Sequence, residues 1–123
     1  PYGWHVPTDN EWTILTDFIT NDGYSGIEGN ALKEVGYAHW IYSGDPNYQG
    51  LDIYGFTALP SGCRDNGNFG DCNFPGISSY YWSSTENFII NWPFYRKLSF
   101  SSSEINRNFN YKTYGFAVRL VKD

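Results

Sequence analysis

The sequence predicts an α+β domain, helices first and antiparallel strands after them. Three observations predict it. A capped, amphipathic helical pattern opens the chain. Alternating segments occupy its second half. Gly 13 and Pro 6, with many Asn and Ser, suit a loop-rich fold and argue against a helical bundle.

The first helix starts at Thr8-Asp9-Asn10-Glu11, which has the residue types of a capping box. Asp9 lies at the positive end of the helix dipole. Trp12, Leu15, Phe18 and Ile19 recur at helical spacing as one apolar stripe. Gly23 is the expected stop. A short second helix is expected over 30–36, and Trp40 after it as a core anchor. Residues 43–52 read as loop, and 55–64 as an extended segment.

Residues 80–86 form the most strand-like run. Alternation puts Tyr81, Ser83 and Thr85 on one face and Tyr80, Trp82, Ser84 and Glu86 on the other, with Trp82 expected on the core side. A second strand is expected over 94–100, then a polar connector over 101–110. The last strand is expected over 114–121, with Phe116, Val118 and Leu120 sharing a face.

Composition bounds the function. The 123 residues fit one domain, 1–123, with a modest core. Aromatics make up 20% of the chain and Met is absent, so rigid rings dominate that core. A net charge of -5 with 8 basic residues gives no basic patch for phosphates, so no nucleic-acid partner is expected. No apolar run approaches ~18 residues, so membrane insertion is not expected either. The opening Pro1-Tyr2-Gly3-Trp4 reads as an excised domain, with no signal peptide in view.

Cys63 and Cys72 flank a polar, Gly-rich loop that looks like a stapled hairpin end. A disulfide there would contribute about 2.5–3 kcal/mol and suits an oxidising compartment. The alternative is two unpaired thiols.

Six blocks then occur in order: Gly3-Trp4-His5-Val6-Pro7-Thr8-Asp9, Glu11-Trp12, Leu32-Lys33-Glu34, Gly55-Phe56-Thr57-Ala58-Leu59-Pro60, Tyr81-Trp82-Ser83-Ser84-Thr85-Glu86 and Tyr114-Gly115-Phe116-Ala117-Val118-Arg119. The series resembles the Fibrobacter succinogenes major paralogous domain family. That resemblance implies a C-type-lectin-like fold, with two helices flanking a small twisted antiparallel sheet. The fold's branch also holds formylglycine-generating enzymes and the variable proteins of diversity-generating retroelements. It implies an extracellular setting, cell-surface or outer-membrane lipoprotein, in bacteria. Family members usually carry a further N-terminal stretch, which this chain is expected to lack.

Catalysis is not expected. Formylglycine-generating relatives need a copper-binding cysteine pair near the C-terminus, whereas Cys63 and Cys72 are mid-chain. His5 and His39 each adjoin a Trp and read as packed or helix-start residues. Glu86 with Asp65 or Glu104 could form a glycosidase pair, but Glu86 is expected to close a strand on Arg96, Lys97 or Arg119. The lectin calcium motifs are absent, and no cofactor is expected. A calcium ion, if bound, would sit in the cysteine loop, at Asp65, Asn66, Asn68 and Asp71. Asp45, Asn47 and Asp52 offer a second set of oxygens.

A binding surface is the function expected. Asn87-Phe88-Ile89-Ile90-Asn91-Trp92-Pro93 puts four large apolar side chains in a strand-to-strand loop, where polar residues are usual. Some of them could instead fold back as a second small core. The neighbourhood mixes rigid rings with Asn and Ser, as antibody paratopes do. In the retroelement relatives, the corresponding region is the diversified ligand surface. The expected ligand-binding residues are Phe88, Ile90, Trp92, Tyr95, Asn106, Asn108 and Tyr111, for a glycan or protein ligand on another cell or surface. The rival is a structural or assembly domain of a pilus-like or surface protein whose apolar loop packs on a partner domain.

Overall fold

The computed structural model describes residues 1–65 and 74–123. It is α+β, with two α-helices and two small antiparallel sheets. The elements are β1 (Trp4–His5), α1 (Asp9–Ile19), α2 (Glu28–Leu32), β2 (Ser78–Glu86), β3 (Pro93–Ser99), β4 (Asn106–Phe109) and β5 (Val121–Lys122). One sheet has the order β2-β3-β4, and the other pairs β1 with β5. Among the described residues, no helix is long and apolar enough to cross a membrane.

Helix α1 starts as its capping box dictates. The Thr8 hydroxyl accepts from the Glu11 amide at 3.2 Å, and the Glu11 carboxylate accepts from the Thr8 amide at 2.8 Å. After Ile19 the coil widens through one π-turn and ends at Gly23, where φ is 101°. Trp12 and Ile19 are buried and Leu15 packs beside them. Phe18, expected in that stripe, is 55% exposed and meets only the edge of Tyr54, at 5.5 Å.

Helix α2 lies earlier than the 30–36 expected, because Lys33 turns extended to bridge Ala58. Its first amides are capped by a backbone carbonyl: Gly29 and Asn30 both donate to Ser103. No side chain fits there, since a Cβ on Gly29 would lie 2.6 Å from the Glu104 carbonyl oxygen. Trp40 is buried as expected and donates to the Ala58 carbonyl at 2.9 Å. Segment 43–52 is loop apart from a short 3-10 turn over Pro46–Tyr48.

The main core lies on the face of β2 opposite the one expected, although Tyr80 on the expected face is also buried. Tyr81 joins the core with Trp12, Leu32, Ala58 and Leu98, while Trp82 points to the other side and is half-buried. The Trp12 ring fills the space above the sheet, 5.7 Å from Tyr81. Beside it only small residues fit, and Ser79 and Ser83 are buried there. Strand β3 follows the expected alternation, with Arg96 and Leu98 buried.

Three other expectations fail locally. The extended segment 55–64 makes isolated bridges and no strand, because Thr57 and Gly62 adopt positive φ. The connector 101–110 contains β4, an edge strand exposed at every residue and so without an apolar signature. The last strand is reduced to β5 and two bridges, Gly115 to Arg64 and Ala117 to Tyr81. Among the described residues no strand runs beside 118–120, so Val118 and Leu120 stay exposed.

Candidate ligand surface

Strands β2 and β3 form a hairpin whose tip is the apolar loop. The Asn87 amide donates to the Trp92 carbonyl at 2.9 Å, and the Asn91 amide donates back to the Asn87 carbonyl at 2.7 Å. Asn91 closes the turn with φ 55°, a conformation Asn tolerates better than most residues. The Asn87 side chain accepts from the Ile89 amide at 2.9 Å. These bonds fix the loop and direct its side chains outward. Phe88 is 89% exposed, Ile89 75% and Ile90 38%.

Trp92 leads from the tip to a series of rings. It lies 4.1 Å from Tyr111 and 6.1 Å from Phe109, centre to centre. Phe109 meets Phe94 edge-on at 5.9 Å. Tyr111 stacks near Tyr114 at 6.5 Å, and Tyr114 meets Phe116 at 5.8 Å. Phe116 packs on Tyr80, Trp82 and Tyr95 at 4.9, 4.2 and 5.0 Å. The rings thus join both faces of the sheet around its hairpin end.

The strand register divides the expected residues. Tyr95 stands opposite Trp82 and Asn108, and Lys97 opposite Tyr80 and Asn106. Tyr95, Asn106 and Asn108 therefore share the face away from α1. Phe88 and Ile90 form the tip, and Trp92 and Tyr111 lie between. The Asn108 side-chain carbonyl is already used, accepting from the Phe109 amide at 2.8 Å. Asn110 does the same for Tyr111 at 2.8 Å. Two edge amides of this segment are thereby closed to an added strand. The sequence does not single out Phe94, Phe109 or Tyr114 as part of this surface, and of the three only Phe109 lies in the unexpected strand β4. Phe109 among alternating Asn residues was the available signal.

The other face of the sheet is tied to α1. The Arg96 guanidinium is 3% exposed and donates to the Asp9 carboxylate at 2.6 Å. Arg107 of β4 donates to the same carboxylate at 2.8, 2.9 and 3.1 Å, and stacks over Phe94 at 4.0 Å. Burial works to raise the Asp9 carboxyl, but the hydrogen bonds from Arg107 and Arg96 hold it below its ordinary value. Thr85 accepts from the Asp9 amide at 3.0 Å. That bond serves the helix start.

Glu86 pairs with Lys112 at 2.7 Å, and not with Arg96, Lys97 or Arg119. His5 is a clamp at the helix start, 2.8 Å from Glu11 and 2.7 Å from Asp123. His39 is exposed and pairs with Glu34 at 2.9 Å. Among the described residues, no group of three or more His, Cys, Asp or Glu is placed to hold a metal ion. Asp45 caps the 3-10 turn and Asp52 binds Thr57. Of the cysteine-loop oxygens, Asp65 bonds the Tyr114 hydroxyl. Asn66, Asn68 and Asp71 lie outside the described residues. Cys63 is buried and is not a free thiol. Its expected partner Cys72 lies outside the described residues.

No curated protein and no solved structure matches the chain significantly. The family described as the Fibrobacter succinogenes major domain matches residues 1–122, and the chain belongs to that family.

Proposed function

We propose that this domain is a non-enzymatic recognition module of C-type-lectin-like fold, displayed outside the cell, that binds a glycan or a protein through the 87–111 region. One observation carries the reading: Phe88 and Ile89 stand 89% and 75% exposed on a hairpin tip held by its own hydrogen bonds. Adjacent large apolar side chains exposed at one tip are available for contact, and a tip held by its own hydrogen bonds lowers the ordering cost of binding. The rings of Trp92, Tyr111 and Phe109 beside the tip supply stacking area. The amide groups of Asn106 and Asn108 are exposed and offer orientation.

The test is a glycan and protein array probed with the natural chain and with Trp92→Ala. Loss of bound ligands in the mutant is expected, about tenfold or more in affinity for a stacked ring. Unchanged binding would refute the site. The same exposed tip also suits an assembly domain. Concentration-dependent self-association abolished by Phe88→Ser, with an empty array, would favour that reading.

A further inference from the structure

A second concave surface lies away from the hairpin tip. It is a groove of about 660 Å³ between α1, the 54–56 loop and the C-terminal segment. That volume falls within the range of small-ligand sites, ~300–1,000 Å³. Its lining is apolar, with Trp12, Ile14, Phe18, Phe56 and Leu120 prominent. Ile14 and Phe18, four residues apart on α1, are 58% and 55% exposed there. Both stay exposed, although the Tyr54 ring meets Phe18 edge-on at 5.5 Å.

The wall beside Phe56 is held in a strained form. Thr57 is β-branched and adopts φ 49°, a conformation such residues avoid. Asp52 holds it, accepting from the Thr57 amide at 2.6 Å and from its hydroxyl at 2.7 Å. Strain of this kind persists where the surroundings over-determine it, and it gathers at ligand clamps.

Charge selects the occupant. Arg119 lines the groove with its guanidinium 4.4 Å over the Phe56 ring. It gives one of its five N–H donors to the Phe56 carbonyl. Among the described residues it makes no ion pair, whereas Arg96, Arg107 and Lys112 each face a carboxylate. Lys33, Lys97 and Lys122 also make no ion pair among the described residues, but Arg119 is the cation that lines the groove, and its remaining N–H donors fit an anionic group. Glu11 also lines the groove, but its carboxylate is engaged by Thr8 and His5, each at 2.8 Å.

We propose that this groove binds a small amphiphile whose apolar body covers Ile14 and Phe18 and whose anionic head lies on Arg119. The site is independent of the hairpin tip, so a glycan or protein could be bound at the same time.

The experiment uses the whole chain and three probes, dodecanoate and dodecyltrimethylammonium below their micelle concentrations and dodecanol below its solubility limit. Binding is read by calorimetry and by the intrinsic tryptophan fluorescence, to which Trp12 in the groove contributes. Dodecanoate is expected to bind at least about tenfold more tightly than the other two. Arg119→Gln should abolish that preference and leave dodecanol affinity unchanged. Ile14→Asp should weaken all three. Trp92→Ala should change none, which separates this site from the hairpin surface. Equal affinity for the three probes, or an indifferent Arg119→Gln, would overturn the anionic head. Absence of saturable binding would overturn the site. Binding of an apolar peptide through its C-terminal carboxylate, with no dodecanoate bound, would overturn the small amphiphile.

Discussion

Replacing Asp9 by Ala should cost far more than its single carboxylate suggests. That group sits where α1, β3 and β4 meet, and it accepts from two guanidinium groups. The two halves differ in worth. Arg107 is 50% exposed, so its share is about 0.2–1 kcal/mol. Arg96 is 3% exposed, and removing its counter-charge leaves a buried cation with two neutral acceptors, the Asp9 carbonyl and the Thr13 hydroxyl. Breaking such a pair costs about 3–5 kcal/mol. The helix also loses a favourable charge at its first turn, about 0.3–1 kcal/mol. Asp9→Ala should therefore lower stability by about 3.5–7 kcal/mol in urea titration, and Arg107→Ala by about 1 kcal/mol or less. Arg107→Ala should still loosen β4, whose residues are all exposed, and amide exchange across 106–109 should quicken without a matching global loss. Equal costs for the two variants would refute the partition.

Two further outcomes follow from buried and paired charges. Lys33 is 1% exposed and its ammonium donates to the carbonyls of Tyr48, Ser99 and Ser102 at 2.6, 3.0 and 2.9 Å. Burial pushes its pKa down to about 8. Lys33→Met would leave three acceptors without their donor at about 1 kcal/mol each, so a loss of about 3 kcal/mol is expected, and under about 1 would contradict it. The His5 clamp should give stability an upper pH limit. Its hydrogen bonds to Asp123 and then Glu11 raise its pKa above 6.5. The folded state therefore binds that proton more tightly. The gain is complete below 6.5 and fades as pH rises through the folded value. Glu11 behaves oppositely. The Thr8 amide, the Thr8 hydroxyl and His5 hold it at about 2 against an ordinary 4.5, so its contribution is present above 4.5 and is lost as pH falls towards 2. The stability difference between the natural chain and His5→Gln should be large near about pH 5.5 and small near about pH 9. A difference that persists at the higher pH would refute the clamp.

Local signals in the chain were legible where one residue's chemistry sufficed. The Thr8–Glu11 capping box, the stop at Gly23 and the alternation of β3 needed no tertiary information. The failures share a physical cause, which is competition for space or for a partner. Tyr81 displaced Trp82 from the core because Trp12 occupies the facing volume, and period-2 alternation names two faces without ranking them. The last strand shrank because strand residues need a neighbour, and 118–120 have none among the described residues. Strand β4 was invisible because an exposed edge of Asn and Arg has no apolar period. The hairpin tip, in contrast, was legible because its sequence violated the rule that loops stay polar, and the violation survives in the structure as exposure.

The placement of that tip separates its exposed side chains from those that set stability. Phe88, Ile89, Asn106 and Asn108 are exposed, whereas the sheet beneath them is fastened on its other face by Asp9, Arg96 and Tyr81. Exchange of a surface side chain outside buried networks usually changes stability by less than about 0.5 kcal/mol. The backbone that presents the tip depends on Asn87 and Asn91, which bond to the loop itself and do not reach the core. Side chains at 88–90 can therefore vary in size and polarity while the hairpin and the core keep their form. The limit comes at Trp92, which is packed against Tyr111, and at Phe109, whose ring leans on Phe94. Beyond those rings, any change of the surface also becomes a change of packing.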